Sequence, residues 1–480
     1  MTGGRRTAWR LAASGALALL LVAGCAALAP DHSGNTGAPT GTATTTATVT
    51  ASGTPSLPAQ PAGPAGSTGG PVLAVVGDPG RLLVRLDRRS LRPLPGQRLT
   101  LPDAVGGHAW SPDGATLALG DNDEDALYLV DARQMRALGK VWLDVPNAPK
   151  RFGWLGPDRL LAVVDQPLRD PDAKPGEDAV VLVDPLTRHV LRRQNLHGGV
   201  QAAVFLGDRA VLLTTPAGAI GTVTLAVVDN RGTVRTVPLR AISAGFKEPD
   251  EWTSTSVGEQ RQAGLAVDPT GGRAFVVASG MPVAEVDLAT LRVTYHGLTQ
   301  PVSLLRRLAG WFVRPAEAKL VSGPLREACW LGGGLLAVWG FDARLGKDAH
   351  EQPTMDDPPS GLKLVDTRRW TVSEIHPEAT AVRWHAGRLL AFGVRWYSQE
   401  RPGGIGVTIY GPGDHRPARL LGNHPVQEVH VNGDLAYAIG WGNDYNDSEL
   451  AVIDLPAGRV VTTVRGVPPY LLLGDDRAAC

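Results

Sequence analysis

Between Val84 and Asp454 one motif returns again and again: a short apolar strand that ends in aspartate. It reads Val84-Arg85-Leu86-Asp87, Tyr128-Leu129-Val130-Asp131, Val181-Leu182-Val183-Asp184 and Ala226-Val227-Val228-Asp229. It continues as Ala284-Glu285-Val286-Asp287, Lys363-Leu364-Val365-Asp366 and Ala451-Val452-Ile453-Asp454, with a degenerate copy at Thr408-Ile409-Tyr410-Gly411. An aspartate at this place accepts a hydrogen bond from an amide two residues on and fixes a tight hairpin without help from elsewhere. Ahead of most copies stands a second turn, as in Ser111-Pro112-Asp113-Gly114, Gly156-Pro157-Asp158, Asp268-Pro269-Thr270-Gly271, His385-Ala386-Gly387 and Asn432-Gly433. Each module therefore holds four strands, and the modules follow one another at roughly 45 to 60 residues over most of the chain.

A four-stranded module cannot cover its own apolar faces, so each needs a neighbour on either side. The pattern predicts an all-β chain folded as a single β-propeller of eight four-stranded blades, or seven if one degenerate module is an insertion. Trp110-Ser111-Pro112-Asp113-Gly114 resembles the corner of PD40-type, WD40-like repeats. Ala266-Val267-Asp268-Pro269, Phe275-Val276-Val277 and Val286-Asp287-Leu288-Ala289-Thr290 resemble a YVTN unit. The resemblance is to secreted bacterial propellers and implies a fold, not an activity. The module that starts at Val72 lacks an inner strand, and one strand, Tyr470-Leu471-Leu472-Leu473, is left over after the eighth copy. Inserting the second into the first closes the ring with both chain ends in one blade and leaves no sheet edge bare.

The first residues read as an address. Arg5, Arg6 and Arg10 precede an apolar stretch from Leu11 to Ala23, too short to span a bilayer. It ends in Leu21-Val22-Ala23-Gly24-Cys25, which resembles the lipobox of bacterial lipoproteins and implies cleavage after residue 24 and lipidation of Cys25. Two or three acyl chains, at about 0.8 kcal/mol per buried methylene, hold a protein on a membrane. Arg5-Arg6-Thr7-Ala8-Trp9 resembles a twin-arginine export signal only loosely, so the export route stays open. Residues 25–71, the lipidated cysteine and a Thr/Ala/Pro/Gly-rich linker, bury too little to fold and form a spacer with a reach of roughly 35 to 40 Å. The expected organisation is a signal peptide over 1–24, this linker, a propeller over 72–476 and a tail over 477–480. The expected location is extracytoplasmic, on the outer face of the bacterial cytoplasmic membrane.

With 47 basic and 47 acidic side chains the chain lacks the field that drives phosphate binding, so nucleic acid is not an expected partner. A monomer is expected, with an envelope protein, peptide or glycan as partner. In a four-strand blade, inner-to-second and third-to-fourth turns share one face, and these are uniformly tight. The other face carries long connections: 165–178, 341–361, 395–404 and 441–448, with crossings 241–262 and 299–327. Binding residues collect on long loops of rigid scaffolds. There Phe341, Trp396, Tyr397, Trp441 and Tyr445 fall near strand ends beside Asp342, Asp444, Asp447 and Glu449. Aromatic faces next to carboxylates suit a sugar or a cationic ligand, although aromatics at strand ends also serve blade packing. The function expected is a binding or scaffolding module. The alternative is a carbohydrate hydrolase or lyase using Asp444, Asp447 and Glu449 as acid and base.

Other patterns fail. There is no Gly-x-Ser-x-Gly elbow, no cysteine–histidine pair at catalytic spacing and no complete phosphate loop, so no catalytic residue is nominated. No cofactor is expected. Asp121, Asp123 and Asp125 mimic the start of a calcium loop, but Ala126 and Ala132 stand where glycine and glutamate are needed, which leaves at most a casual calcium site. Trp110, Trp154, Trp330 and Trp384, with Phe205, share one register position and are expected between blades. Leu304, Leu305, Leu308, Trp311 and Phe312 recur at helical spacing and suggest a short cap. A Cys329–Cys480 bond would lock the ring, but their blades are not adjacent and a disulfide needs Cα atoms within about 7 Å. A buried Cys329 and a loose Cys480 are expected.

Overall fold

The computed structural model describes residues 57, 72–76, 81–96, 98–101, 105–121, 125–145, 149–165, 176–247, 258–270, 272–298, 323–347, 353–356, 358–395, 403–411, 417–441, 448–466 and 470–473. Among them every regular element is a strand. In chain order these are β1 (Val72–Val76), β2 (Leu82–Leu86), β3 (Leu99–Thr100), β4 (Val105–Trp110), β5 (Thr116–Asp121), β6 (Ala126–Asp131), β7 (Arg136–Trp142), β8 (Arg151–Trp154), β9 (Leu160–Asp165), β10 (Asp178–Asp184) and β11 (His189–Asn195). There follow β12 (Gly199–Phe205), β13 (Arg209–Thr215), β14 (Ile220–Asp229), β15 (Val234–Lys247), β16 (Glu259–Arg261), β17 (Gly264–Asp268), β18 (Arg273–Val277), β19 (Val283–Asp287), β20 (Val293–His296), β21 (Gly323–Gly332) and β22 (Leu335–Lys347). The last are β23 (Pro353–Asp356), β24 (Leu362–Asp366), β25 (Thr371–His376), β26 (Ala381–His385), β27 (Arg388–Arg395), β28 (Gly403–Tyr410), β29 (Ala418–Leu420), β30 (Val426–Asn432), β31 (Leu435–Trp441), β32 (Ser448–Asp454), β33 (Arg459–Arg465) and β34 (Tyr470–Leu472).

These strands form eight antiparallel sheets, each a radial blade of an eight-bladed β-propeller. Blade 1 has the order β34-β1-β2-β3, so the last strand of the chain is the inner strand of the first blade. Leu73, Ala74 and Val75 pair with Leu472, Leu471 and Tyr470, which closes the ring as the leftover strand predicts. Blades 2, 3, 5, 7 and 8 are four-strand meanders. Blade 4 adds β16 at its outer edge, and blade 6 carries β23 on the far half of β22.

The aspartates perform the turn chemistry expected of them. Asp87 Oδ1 accepts from the amides of Arg89 and Ser90 at 3.1 and 2.7 Å, and Asp131 from Arg133 and Gln134 at 3.0 and 2.8 Å. Asp184, Asp229, Asp287, Asp366 and Asp454 accept in the same way. These bonds, with the backbone amides of Ser90, Thr187 and Thr290 foremost, hold the carboxyls of Asp87, Asp184 and Asp287 below the usual range. Four residues after the aspartate the backbone turns left-handed, at Leu91, Met135, Arg188, Leu291 and Trp370 with φ between 51° and 60°, and at Gly458. In five of the turns L-residues thus occupy a conformation glycine takes more cheaply.

Packing between blades supplies the core. Leu127, Leu129 and Val141 of blade 2 meet Leu160, Ala162 and Val181 of blade 3 in one buried cluster, and equivalent clusters fill the other gaps. The aromatic register lies where expected. Trp154 Nε1 donates to Ala109 O of the preceding blade at 3.1 Å, and Trp330 stacks on Phe275 at 5.2 Å. Phe205 lies so close to Gly153 that a Cβ there would sit 2.3 Å from the ring. Ring closure adds polar contacts between blades 8 and 1. Buried Tyr437 donates to Arg88 O at 2.9 Å, Arg88 pairs with Asp434, and Arg89 reaches Asp454 at 3.1 Å. Leu57, which precedes β1 in the chain, packs with Cys329, Trp339 and Trp384 of blades 6 and 7. Cys329 is buried as expected, but it is disulfide-bonded, which corrects the expectation of an unpaired thiol.

Candidate functional site

An antiparallel meander puts β4–β5 and β6–β7 turns, and their equivalents in every blade, on one face. That face is occupied by its own contacts. Arg85 donates to Ala132 O and Arg133 O of the next blade's turn at 3.0 and 2.6 Å, and Arg235 to Leu288 O and Ala289 O at 2.8 Å each. Capped aspartates and arginine-bonded carbonyls leave these turns short and self-satisfied.

The opposite face is built differently. The 341–361 and 241–262 connections, expected to be irregular, are in part β-structure. β22 runs on past the blade and pairs with β23 from Arg344↔Asp356 to Lys347↔Pro353. β15 likewise continues to pair with β16 from Gly245↔Arg261 to Lys247↔Glu259. Two β-arms therefore extend from blades 4 and 6. Blades 5 and 6 are packed backbone to backbone: a Cβ on Gly264 would lie 2.5 Å from the Glu327 carbonyl carbon, so only glycine fits where they meet.

Of the predicted site residues, Phe341 and Asp342 lie at the root of the blade 6 arm. Phe341 is half-buried and bridges to Pro359, and Asp342 accepts from Arg326 at 2.7 Å. On blade 8, Trp441 pairs in register with Ser448, and Glu449 beside it lies 3.5 Å from Arg465 Nε. These positions share the long-loop face with blade 7 between them. Trp396, Tyr397, Asp444, Tyr445 and Asp447 lie outside the described residues, as do Asp123, Cys25, Cys480 and the helical-spaced run from Leu304 to Phe312. Asp121 is buried against Lys140 Nζ at 3.1 Å, and Asp125 Oδ2 caps the amide of Val145 at 3.1 Å. Both carboxylates thus have protein partners, and among the described residues no group of three His, Cys, Asp or Glu side chains is placed to hold a metal.

One loop on this face is fastened at its base by charge. Lys150 Nζ lies 2.5 Å from Asp165 and 2.7 Å from Asp178, the residues that bracket the 166–177 connection. Asp178 is fully buried and its second oxygen accepts from Val200 N of blade 4 at 2.7 Å. Burial pushes the Asp178 carboxyl up, against the pull of Lys150. Burial also works against the Lys150 ammonium, but its bonds to the two carboxylates outweigh that and raise it.

The sequence reading missed the channel lining. Arg151 on inner strand β8, Glu327 on β21 and Arg383 on β26 are close enough to influence one another across the ring. Arg151 and Glu327 are open to water yet surrounded by protein. Burial pushes Glu327 up, opposed by the Trp339 indole and both arginines, and pushes Arg151 down, opposed chiefly by Glu327. Arg151 also donates to Gln201 O at 3.0 Å and Arg383 to Val429 O at 2.9 Å, each capping the exposed edge of the next inner strand. For Arg383, in the middle of the otherwise largely apolar β26, the charge was the signal available; Arg151 opens β8 and Glu327 follows Arg326, so neither stood out.

No protein-family model matches this chain, and no curated protein matches it in sequence. Among solved structures, the dihydro-heme d1 dehydrogenase NirN in complex with DHE superposes with a TM-score of 0.52 at 14% identity, over 88% of this chain and 78% of that one. The likeness is one of fold. Sqt1 of Saccharomyces cerevisiae gives 0.42 at 9% identity, over 77% and 87%, and BamB of Moraxella catarrhalis 0.37 at 11%, over 77% and 92%.

Proposed function

We propose that the protein is an extracytoplasmic lipoprotein, held to the outer face of the bacterial cytoplasmic membrane by acyl chains on Cys25. Its propeller binds a glycan, peptide or envelope protein through the long-loop face. The observation that carries this reading is the difference between the two faces. One is closed on itself by capped aspartates and arginine bonds to turn carbonyls, and the other projects two β-arms and loops with a charge-fastened base. Elaboration confined to one side of a rigid ring is where recognition residues are expected. Phe341 and Glu449 offer an aromatic face and a carboxylate on that side, with the Trp441 backbone beside the latter.

The test is a screen of the full chain carrying Cys25→Ser against glycan, peptidoglycan-fragment and envelope-peptide arrays. Each hit is measured again with Phe341→Ala and Glu449→Gln, and with Leu186→Ser on the tight-turn face. The first two are expected to weaken binding about tenfold or more and the third to leave it unchanged. Loss with Leu186→Ser alone contradicts the assignment.

A further inference from the structure

The fourth strands β3, β7, β11, β15, β20, β25, β29 and β33 form the perimeter of the ring, and along them every carboxylate or permanently basic side chain except Glu374 is lysine or arginine. The segregation is sharpest on blades 2, 3 and 4. No acid occurs between Asp131 and Asp144, between Asp184 and Asp208, or between Asp229 and Glu248. A chain of zero net charge thus carries one sign on its rim. Charged edges keep sheets from pairing with one another, but glutamate would serve that purpose as well. The restriction to one sign calls for an anionic partner. The edge of blade 3 adds apolar surface. Arg188, His189, Val190, Leu191 and Arg192 are all exposed, Val190 to 39% and Leu191 to 47%. The register of β11 on β10 skips Leu191, and this bulge breaks the alternation that would otherwise turn one of the two apolar side chains inward.

Neighbouring edges continue the patch. Arg188 Nη1 donates to Leu138 O of β7 at 3.3 Å, which ties the rims of blades 2 and 3 together. Arg98 and Arg136 line an open recess with Gln134 and Met135 where the rims of blades 1 and 2 meet. Arg193 is engaged by Asp144 O at 3.0 Å, whereas Arg136 and Arg192 are exposed and pair with no carboxylate among the described residues. We propose that the rim of blades 2 and 3 docks on anionic lipid headgroups. The guanidiniums of Arg98, Arg136 and Arg192 meet phosphodiesters, and Val190 and Leu191 enter the boundary between headgroups and acyl chains. A peptide added along β11 would reach only that strand's arginines, whereas a lipid surface meets those of both blades together. The inference rests on the membrane location in the proposed function and deepens it. Contact through the edge leaves the long-loop face open to its own partner.

The test reconstitutes the full chain, isolated from membranes, in vesicles of phosphatidylcholine alone or with an equal part of phosphatidylglycerol. Both kinds carry a nitroxide quencher just below the headgroups. A fluorophore is placed on Leu191→Cys or on Arg419→Cys, the latter exposed on the fourth strand of blade 7, across the ring from blade 3. A tether alone lets the ring tumble and quenches both sites alike. Docking is expected to quench position 191 several-fold more than position 419, only where phosphatidylglycerol is present, and less as salt is raised. Arg136→Gln and Arg192→Gln are each expected to lower the ratio of docked to free rings about fivefold, the equivalent of about 1 kcal/mol per arginine at an anionic surface. Equal quenching at the two positions, none at 191, or quenching at 191 that ignores phosphatidylglycerol overturns the proposal. So does an unchanged ratio in both arginine variants. The mass of the N-terminal peptide reports acylation separately: an unacylated Cys25 with the reading at 191 intact removes the anchor but upholds the docking.

Discussion

Replacing Lys150 by methionine strips a cationic partner from two acids that face each other at the base of a loop. Asp178 is fully buried and Lys150 Nζ bridges it to Asp165. Breaking a buried ion pair from one side costs about 3 to 5 kcal/mol, and because the Lys150 side chain is 34% exposed the low end, about 3 kcal/mol, applies. The pH dependence has a definite sign. Asp178 already binds its proton more tightly folded than unfolded, so its contribution to stability is full below the ordinary carboxylate range and falls as pH rises to its raised folded value. Lys150, raised by its partners, contributes below the ordinary lysine range and loses that contribution as pH rises through its own folded value. In Lys150→Met the Asp178 carboxyl moves up further, so the deficit is largest near neutrality and shrinks as acid protonates it. Lys150→Met with Asp178→Asn keeps an acceptor for Val200 N, removes the stranded charge and recovers much of the loss. Urea unfolding at pH 7 and about pH 4 measures this, with amide exchange at Asp178 and Val200 as the local readout. A loss under about 0.5 kcal/mol at neutrality, or a deficit that grows in acid, refutes the reasoning.

Three further outcomes are expected. Tyr437→Phe strands the Arg88 carbonyl between blades 8 and 1 and lowers unfolding free energy by about 1 to 2 kcal/mol, measured by urea titration. Ending the chain after Gly466 removes buried Leu471, Leu472 and Leu473, about 5 to 8 kcal/mol of burial, and bares the edge of β1, so light scattering should show association at once. Ala386→Gly relieves an exposed left-handed residue at φ 47° and raises the thermal midpoint, a gain of about 0.5 to 1 kcal/mol.

The ring was legible in the sequence because it repeats. The aspartate that ends seven of the eight third strands, the tryptophan before four of the first corners and the strand left over after Arg465 each report a local rule, a turn or an interblade contact. Together they give eight blades and the closing pair of β34 and β1. What stayed hidden depends on residues distant in the chain. Lys150 meets Asp178 only because adjacent strands bring the two ends of a loop together. Arg151, Glu327 and Arg383 approach one another only once the ring is closed. Leu91, Met135 and Arg188 carry no mark of a left-handed turn, since the aspartate four residues earlier determines it. The β-arms were read as loops because Lys347 and Pro353, like Lys247 and Glu259, lack the apolar alternation of a half-buried strand. The site itself was legible only as a choice of face: Phe341, Trp441 and Glu449 share it, but nothing local in the sequence shows how far apart blades 6 and 8 hold them.

The proposed function turns on which face of the ring meets the partner. A photoreactive diazirine amino acid placed at Phe341, or at Leu186 on the tight-turn face where the side chain is 83% exposed, reports this in intact cells. Adducts to a glycan, peptide or envelope protein from position 341, and none from position 186, are the predicted result. Adducts from 186 alone, or equally from both, contradict it.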